Sequence, residues 1–224
     1  MTYDAIVFDL DGVLLRGYHT DRDIYRAAVL EALADFGVDV SEPPADLVDP
    51  DEPGTVRRRC ETLDIPSSPF WAYREHAATV RENEQIREGG RKPFRDTDVL
   101  PKLAARHRIG IVSNNRQGTV RFVVEHFDWT AHVDSIHGRY PTLDGLGWMK
   151  PDPEYLERAL ADLDVSPSDA LFVGDRASDV TTAVRAGTDS ALLVRDGERP
   201  ATEHEPTTVI ASLEDILTVG RDSH

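Results

Sequence analysis

The 224-residue sequence predicts an α/β protein: a parallel sheet covered by helices on both faces, interrupted by one all-helical insertion. Three observations carry that prediction. Short, continuously apolar runs (Ala5-Ile6-Val7-Phe8, Ile109-Gly110-Ile111-Val112, Leu171-Phe172-Val173) alternate with helical patterns, as strands buried on both faces of a parallel sheet do. From Asp21 to about Glu88, by contrast, the pattern is helical throughout. Each strand-like run also ends in polar groups: Asp9-Leu10-Asp11-Gly12 after the first, Ser113-Asn114 after the second, Gly174-Asp175 after the third.

The first strand runs from Ala5 to about Leu10, and a polar stretch, Arg16 to Asp21, follows Gly12-Val13-Leu14-Leu15. Ile24, Ala27, Ala28, Leu30, Leu33 and Phe36 recur at helical spacing, and Gly37 stops that helix. A loop rich in Pro and Asp (Glu42 to Gly54) leads to a helix over about Thr55–Asp64. Pro66-Ser67-Ser68-Pro69 is a break before a long helix from Phe70 to about Glu88, ending at Gly89-Gly90. Downstream, the pattern predicts helices over Asp98–Arg106, Gln117–His126, Pro153–Leu163 and Val180–Ala186. Strands are predicted over Ile109–Val112, Val133–Ile136, Ala170–Val173 and Ala191–Val194, with Val209-Ile210 and Leu213–Leu217 closing the chain. Residues 1–15 and 93–224 therefore form the sheet domain, and 16–92 the helical insertion.

With 40% hydrophobic and 29% charged residues, the chain has material for a sizeable core. No apolar run approaches the roughly 18 residues of a membrane span. The N-terminus enters strand-like sequence almost at once, which argues against a signal peptide. Cys60 is the single cysteine, which excludes an internal disulfide, points to a reducing cytoplasm and reads as a buried helix residue. The formal net charge of −16, from 41 acidic against 25 basic residues, argues against nucleic acid as a partner. The eight histidines show no metal-ligand spacing and read as structural.

In an open parallel sheet, ligands bind outside the carboxyl ends of the strands. Asp9, Ser113 and Asp175 each fall at such an end, so three distant segments converge on one rim. Asp9, Asp11, Asp175 and Asp179 would then crowd together. Two unit charges about 4 Å apart repel by roughly 4 kcal/mol at an effective dielectric near 20. A Mg²⁺ ion resolves that conflict, being a hard cation that takes carboxylate, water and phosphate oxygens. Asp9 and Asp11 can share the work only if the backbone bends after the strand, and Gly12 permits the bend. Asp21-Arg22-Asp23 and Asp49-Pro50-Asp51 read instead as surface pairs.

The segments FDLDGVL, Ser113-Asn114, Lys150 before Pro151-Asp152-Pro153, and GDRASD, in this order, resemble the haloacid dehalogenase superfamily of phosphotransferases. The likeness is to its phosphoglycolate phosphatase and beta-phosphoglucomutase-like subgroup, which has a Rossmann-like core and a type-1 helical cap. The resemblance implies that Asp9 and Asp175 hold Mg²⁺ with the Asp11 carbonyl, while Asp179 orients that shell. It implies that Asp9 is a nucleophile forming an aspartyl-phosphate, and that Asp11 is the acid and then the base. Ser113, Asn114 and Lys150 would bind the phosphoryl group, with Gly145-Leu146-Gly147 a loop that lets Lys150 approach. The implied function is Mg²⁺-dependent hydrolysis of a small phosphorylated metabolite. A phosphomutase and a non-catalytic phosphometabolite-binding module are the alternatives. Asp11 argues against dehalogenation, and Arg16-Gly17-Tyr18-His19-Thr20 does not look like the mutase hinge.

Substrate choice should lie with the insertion. Arg57, Arg58, Arg59, Arg74 and Arg81 are its candidates for a second anionic group, with Trp71 and Tyr73 lining the pocket. Lys92, Lys102 and Lys150 are the only lysines among 25 basic residues. Dense carboxylates with few lysines are the pattern of proteins from salt-loving organisms. Circular dichroism should accordingly show structure lost in dilute buffer and regained in molar salt; indifference to salt would remove that expectation.

Overall fold

The computed structural model describes residues 2–17, 20–195, 197 and 199–220. Six parallel strands, β1 (Ala5–Phe8), β2 (Arg108–Arg116), β3 (Ser135–Arg139), β4 (Ala170–Gly174), β5 (Asp189–Leu193) and β6 (Thr208–Ile210), lie in the order β3-β2-β1-β4-β5-β6. The order reverses at β1, which pairs Phe8 with Ile111 of β2 on one side and with Val173 of β4 on the other. A crevice for a ligand is expected outside the strand ends at such a switch point.

Alternation along β1 explains the two cores. Ile6 and Phe8 face one layer with Ile109, Ile111, Leu171 and Val173, covered by Val120, Val123 and Val124 of α6 (Gln117–His126). Ala5 and Val7 face the other, against Leu156, Ala159, Leu160 and Leu163 of α8 (Glu154–Leu163). α9 (Ala177–Ala186) follows β4 on this second face through Ala183 and Ala186.

Among the described residues, four helices make up the insertion that follows β1: α1 (Arg22–Asp35), α2 (Ala45–Val48), α3 (Pro53–Thr62) and α4 (Ser67–Arg87). They share their own apolar cluster, in which Val29, Leu33, Leu47, Val56, Cys60, Phe70 and Trp71 are buried. Two short backbone segments connect them to the sheet, and these segments pair: Arg16 N–H donates to Lys92 O at 2.9 Å, and Phe94 N–H to Leu14 O at 3.0 Å.

Several boundaries differ from the sequence expectation. β2 continues through Ser113, Asn114 and Asn115 to Arg116, with its register against β3 shifting after Val112. The strand expected over Val133–Ile136 lies at Ser135–Arg139. The helix expected over Asp98–Arg106 is a 3₁₀ turn at Arg95–Val99 followed by α5 (Leu100–Ala104). Gly145-Leu146-Gly147, expected as a loop, belongs to α7 (Leu143–Gly147), where the Thr142 side chain caps the Gly145 N–H at 3.0 Å. Leu143 and Leu146 are buried in the insertion's cluster, so α7 is a shelf beneath it. Tyr18 and His19 of the hinge stretch, and His224 among the histidines, lie outside the described residues.

Candidate active site

β1 ends at Phe8, and Asp9 is held in place at once: its N–H donates to Val173 O at 2.9 Å. The chain then turns, with the Val13, Leu14 and Leu15 N–H groups all directed at Leu10 O. Gly12 has φ +88°, a backbone state that favours glycine, and the turn brings Asp9 and Asp11 to the wall of one cavity. A second glycine is needed for close approach. A Cβ on Gly174, at the end of β4, would lie 2.2 Å from Asp179 Cβ, so only glycine lets α9 begin so near the strand.

The geometry centres on Lys150, whose ammonium lies 2.8 Å from Asp9 Oδ1 and 2.6 Å from Asp179 Oδ1 with its side chain 3% exposed. Burial disfavours its charge, yet Asp179 and Asp9 outweigh burial and hold its pKa above the ordinary lysine value. Asn114 positions Lys150 through the backbone: its Oδ1 accepts from Lys150 N–H at 2.8 Å and its Nδ2 donates to Lys150 O at 3.2 Å. Asp9 Oδ1 also accepts from Leu10 N–H at 2.7 Å, and Asp179 Oδ2 from Arg176 N–H at 2.9 Å. Ser113 is buried, its hydroxyl accepting from Asn115 N–H at 3.1 Å.

Carboxylate oxygens of Asp9, Asp175 and Asp179 all lie within 4.8 Å of one another. Burial pushes Asp9 up to about 7, with Asp179 and Asp11 adding to the effect and Lys150 opposing it. Burial and then Asp179 push Asp175 up to about 6. Asp175 Oδ1 is buried with no hydrogen-bond donor. Three crowded carboxylates, with Asp9 and Asp175 raised by burial and an Asp175 oxygen lacking a hydrogen-bond donor, are the donor set of a hard divalent cation, which this arrangement could hold.

Asp11 has a separate set of partners. Arg91 Nη2 lies 2.6 Å from Asp11 Oδ1, and Asn115 Nδ2 donates to Oδ2 at 3.1 Å. Burial nonetheless keeps its pKa above the ordinary carboxylate value, against the pull of Arg91. Arg91 also donates to Arg16 O and Gly17 O, and so ties Asp11 to both connecting segments. Its remaining nitrogen, Nη1, is 2.8 Å from Glu82 Oε1 on α4. Glu82 is fully buried and also receives Thr20 Oγ1 at 2.8 Å, Asn115 Nδ2 at 3.2 Å and Arg116 Nη2.

The cavity over Asp9 has a volume of about 230 Å³ and is lined by Asp9, Asp11, Asn114, Lys150, Tyr25 and Arg139 among others. The arginines expected to overhang it do not line it. Arg57 faces Asp144, Arg58 pairs with Glu52, Arg59 with Asp46 and Arg81 with Glu31, all within or beside the insertion. Arg74 is buried, bonded to Glu75 and to Val48 O. Trp71 is core, and Tyr73 faces Glu31 at 3.4 Å. Acidic groups of the insertion and its surroundings pair with these arginines instead. The residues that sequence reasoning missed, Glu75, Glu82, Arg91, Asn115, Arg116 and Arg139, form the seam between insertion and sheet. One signal was present: 75 and 82 fall on the apolar stripe of α4 set by Trp71, Ala78 and Ile86, where a charge must be paired.

A family model described as haloacid dehalogenase-like hydrolase matches residues 3–187. The chain belongs to that family. It is 26% identical to the pyrophosphatase PpaX of Anoxybacillus flavithermus, covering 98% of this chain and 97% of that one. The PpaX of Bacillus velezensis is 27% identical, over 96% and 95% of the two chains. A crystal structure of a putative phosphoglycolate phosphatase from Lactobacillus plantarum superposes with a TM-score of 0.62 at 25% identity, over 97% and 99%. CbbY from Rhodobacter sphaeroides in complex with phosphate shares the fold, with a TM-score of 0.63 at 22% identity, over 94% and 95%.

The seam makes the site's support testable. Replacing Glu82 by Ala strands Arg91 and Arg116 without their buried carboxylate. Urea denaturation should show a loss of about 3–5 kcal/mol; a change below about 1 kcal/mol would mean that the seam behaves like a surface ion pair.

Proposed function

We propose that the protein is a Mg²⁺-dependent phosphohydrolase, acting on a small phosphorylated metabolite through an aspartyl-phosphate on Asp9. The supporting observation is the division of labour at Asp9. Its Oδ1 is occupied by Lys150 and the Leu10 N–H, and among the described residues no hydrogen bond reaches Oδ2, in a cavity that Asp9 shares with Asp11. Relatives named pyrophosphatase, and a structural neighbour named as a putative phosphoglycolate phosphatase, support phosphoryl transfer to water.

In this reading Asp9 attacks phosphorus, and the bond to the leaving group breaks as Asp11 delivers a proton to it. Asp11, now a base, takes a proton from the water that splits the aspartyl-phosphate and regenerates Asp9. Arg91 and Asn115 hold the Asp11 carboxyl in position for both steps. Lys150 offsets the charge of Asp9 and of the incoming phosphoryl oxygens, and Asn114 holds the Lys150 backbone in place. The Ser113 hydroxyl, whose oxygen accepts from Asn115, keeps its own proton to donate to a phosphoryl oxygen. Asp9 and Asp175 would hold Mg²⁺ together with the Asp11 carbonyl, and Asp179 would orient that shell. When bound, the ion supplies positive charge at the phosphoryl group and cancels repulsion among the carboxylates.

The helical insertion serves as a cap over the site. A cavity of about 230 Å³ lies below the roughly 300–1,000 Å³ of pockets for drug-sized ligands, which suits a small metabolite. The lone cysteine, Cys60, is buried, and burial pushes its thiol up to about 11, an inert state that suits a cytoplasmic protein.

Phosphate release from pyrophosphate, 2-phosphoglycolate and acetyl phosphate tests the reading. Mg²⁺-dependent turnover should be abolished by chelator and reduced by at least roughly a thousandfold in Asp9→Asn, the scale of losing a nucleophile. Turnover that survives either treatment would contradict it.

A further inference from the structure

Beyond the carboxylates, the cavity has a second, cationic wall whose groups the hydrolytic steps leave unused. Arg139, at the end of β3, lines the cavity together with Tyr25 of α1, Met149, Lys150 and Asp9. It is 7% exposed. Its Nε and Nη2 donate to the Glu75 carboxylate at 2.9 and 3.1 Å, while Nη1 donates to the Met149 sulfur at 3.3 Å, a weak acceptor. Tyr25 interacts with Arg139 as well, and its ring carries the guanidinium groups of Arg74 at 4.3 Å and Arg116 at 5.0 Å. Burial opposes ionisation of this phenol, but Arg116, Arg139 and Arg74 together hold its pKa below the ordinary value.

The charges of the seam do not balance. Among the described residues, Arg74, Arg91, Arg116 and Arg139 are buried in it, against the three carboxylates of Asp11, Glu75 and Glu82. Arg116 Nε and Nη1 are buried without any hydrogen-bond acceptor. A buried positive surplus is costly unless an anion compensates it. Its edge, Arg139 and Tyr25, faces the same small cavity as the proposed nucleophile.

We propose that Arg139 and Tyr25 determine specificity by binding a second acidic group on the substrate, beside the phosphoryl group that is transferred. Building on the phosphohydrolase reading, the substrate class is then a small metabolite with two anionic groups, a phosphoanhydride or a phosphorylated carboxylic acid. An ester or acyl phosphate of similar size with an uncharged second group is the poorer substrate. Arg suits the role because its guanidinium is always charged and, with Nε and Nη2 held by Glu75, still has N–H donors on Nη1 for a second acid.

The test compares pyrophosphate and 2-phosphoglycolate with acetyl phosphate, which matches them in size and lacks the second charge. Arg139→Gln should raise KM for the first two by roughly tenfold to a hundredfold, the worth of a charge-assisted hydrogen bond. The loss on acetyl phosphate should be at least about fivefold smaller, Arg139→Lys should recover part of the loss, and Tyr25→Phe should shift selectivity in the same direction by less. Equal losses on all three substrates would show that Arg139 only latches the insertion to the sheet, and would overturn the inference. A binding measurement does not depend on those variants folding. Calorimetry on Asp9→Asn with Mg²⁺ should give tighter binding of pyrophosphate than of orthophosphate, and equal affinities would overturn the inference. Hydrolysis that depends on Asp9 but is blind to the second charge sinks this inference alone. No Asp9-dependent hydrolysis of any substrate sinks the underlying reading and this inference with it.

Discussion

One buried cation, Lys150, holds together side chains that would otherwise repel. It bridges Asp9 from β1 and Asp179 from α9, segments that meet only because β1 and β4 are neighbours in the sheet. Two carboxylates this close favour proton uptake unless positive charge intervenes. Burial first, and then the neighbouring carboxylates, raise Asp9 and Asp175 further than one ammonium offsets, and Asp175 keeps an oxygen without a hydrogen-bond donor. The remaining deficit has the size and chemistry of a divalent ion. Much of the local structure serves this cluster: the Asn114 amide fixes the Lys150 backbone, and Gly174 lets α9 deliver Asp179.

The seam between the helical insertion and the sheet solves a different electrostatic problem. Glu82 and Glu75 on α4 enter a buried layer of arginines, and Arg91 connects Glu82 to Asp11 and to both connecting segments. Removing either glutamate uncovers charges that burial makes costly, so the insertion is held to the sheet by paired polar groups as well as by apolar contact. Asp11 is anchored to this layer and Asp9 to the Lys150 cluster. The two aspartates of one short turn thus answer to opposite halves of the molecule.

Legibility in the sequence followed how local each cause is. The strand runs, the helical insertion and the rim where Asp9, Ser113 and Asp175 assemble follow from periodicity and from the rule that ligands sit at the carboxyl ends of parallel strands. Bulges and short helices do not announce themselves in this way. β2 runs on to Arg116 and α7 forms around Gly145 because neighbouring strands and the Thr142 cap decide those positions. The arginines were the least legible. Arg57, Arg58, Arg59 and Arg81 differ from Arg91, Arg116 and Arg139 only in their burial and partners, which arise from contacts across the fold. The stripe positions of Glu75 and Glu82 were the readable trace of the seam.

Whether the strand-end carboxylates are arranged around a divalent ion is decided by titrating chelated protein with Mg²⁺ in a calorimeter. One ion should bind per chain, with affinity rising between pH 5.5 and 7.5, because burial pushes Asp9 up to about 7 and Asp175 up to about 6 and both must lose protons to ligate. Asp175→Asn should abolish the binding. Absence of saturable binding in the wild type, or undiminished binding in Asp175→Asn, would contradict that arrangement.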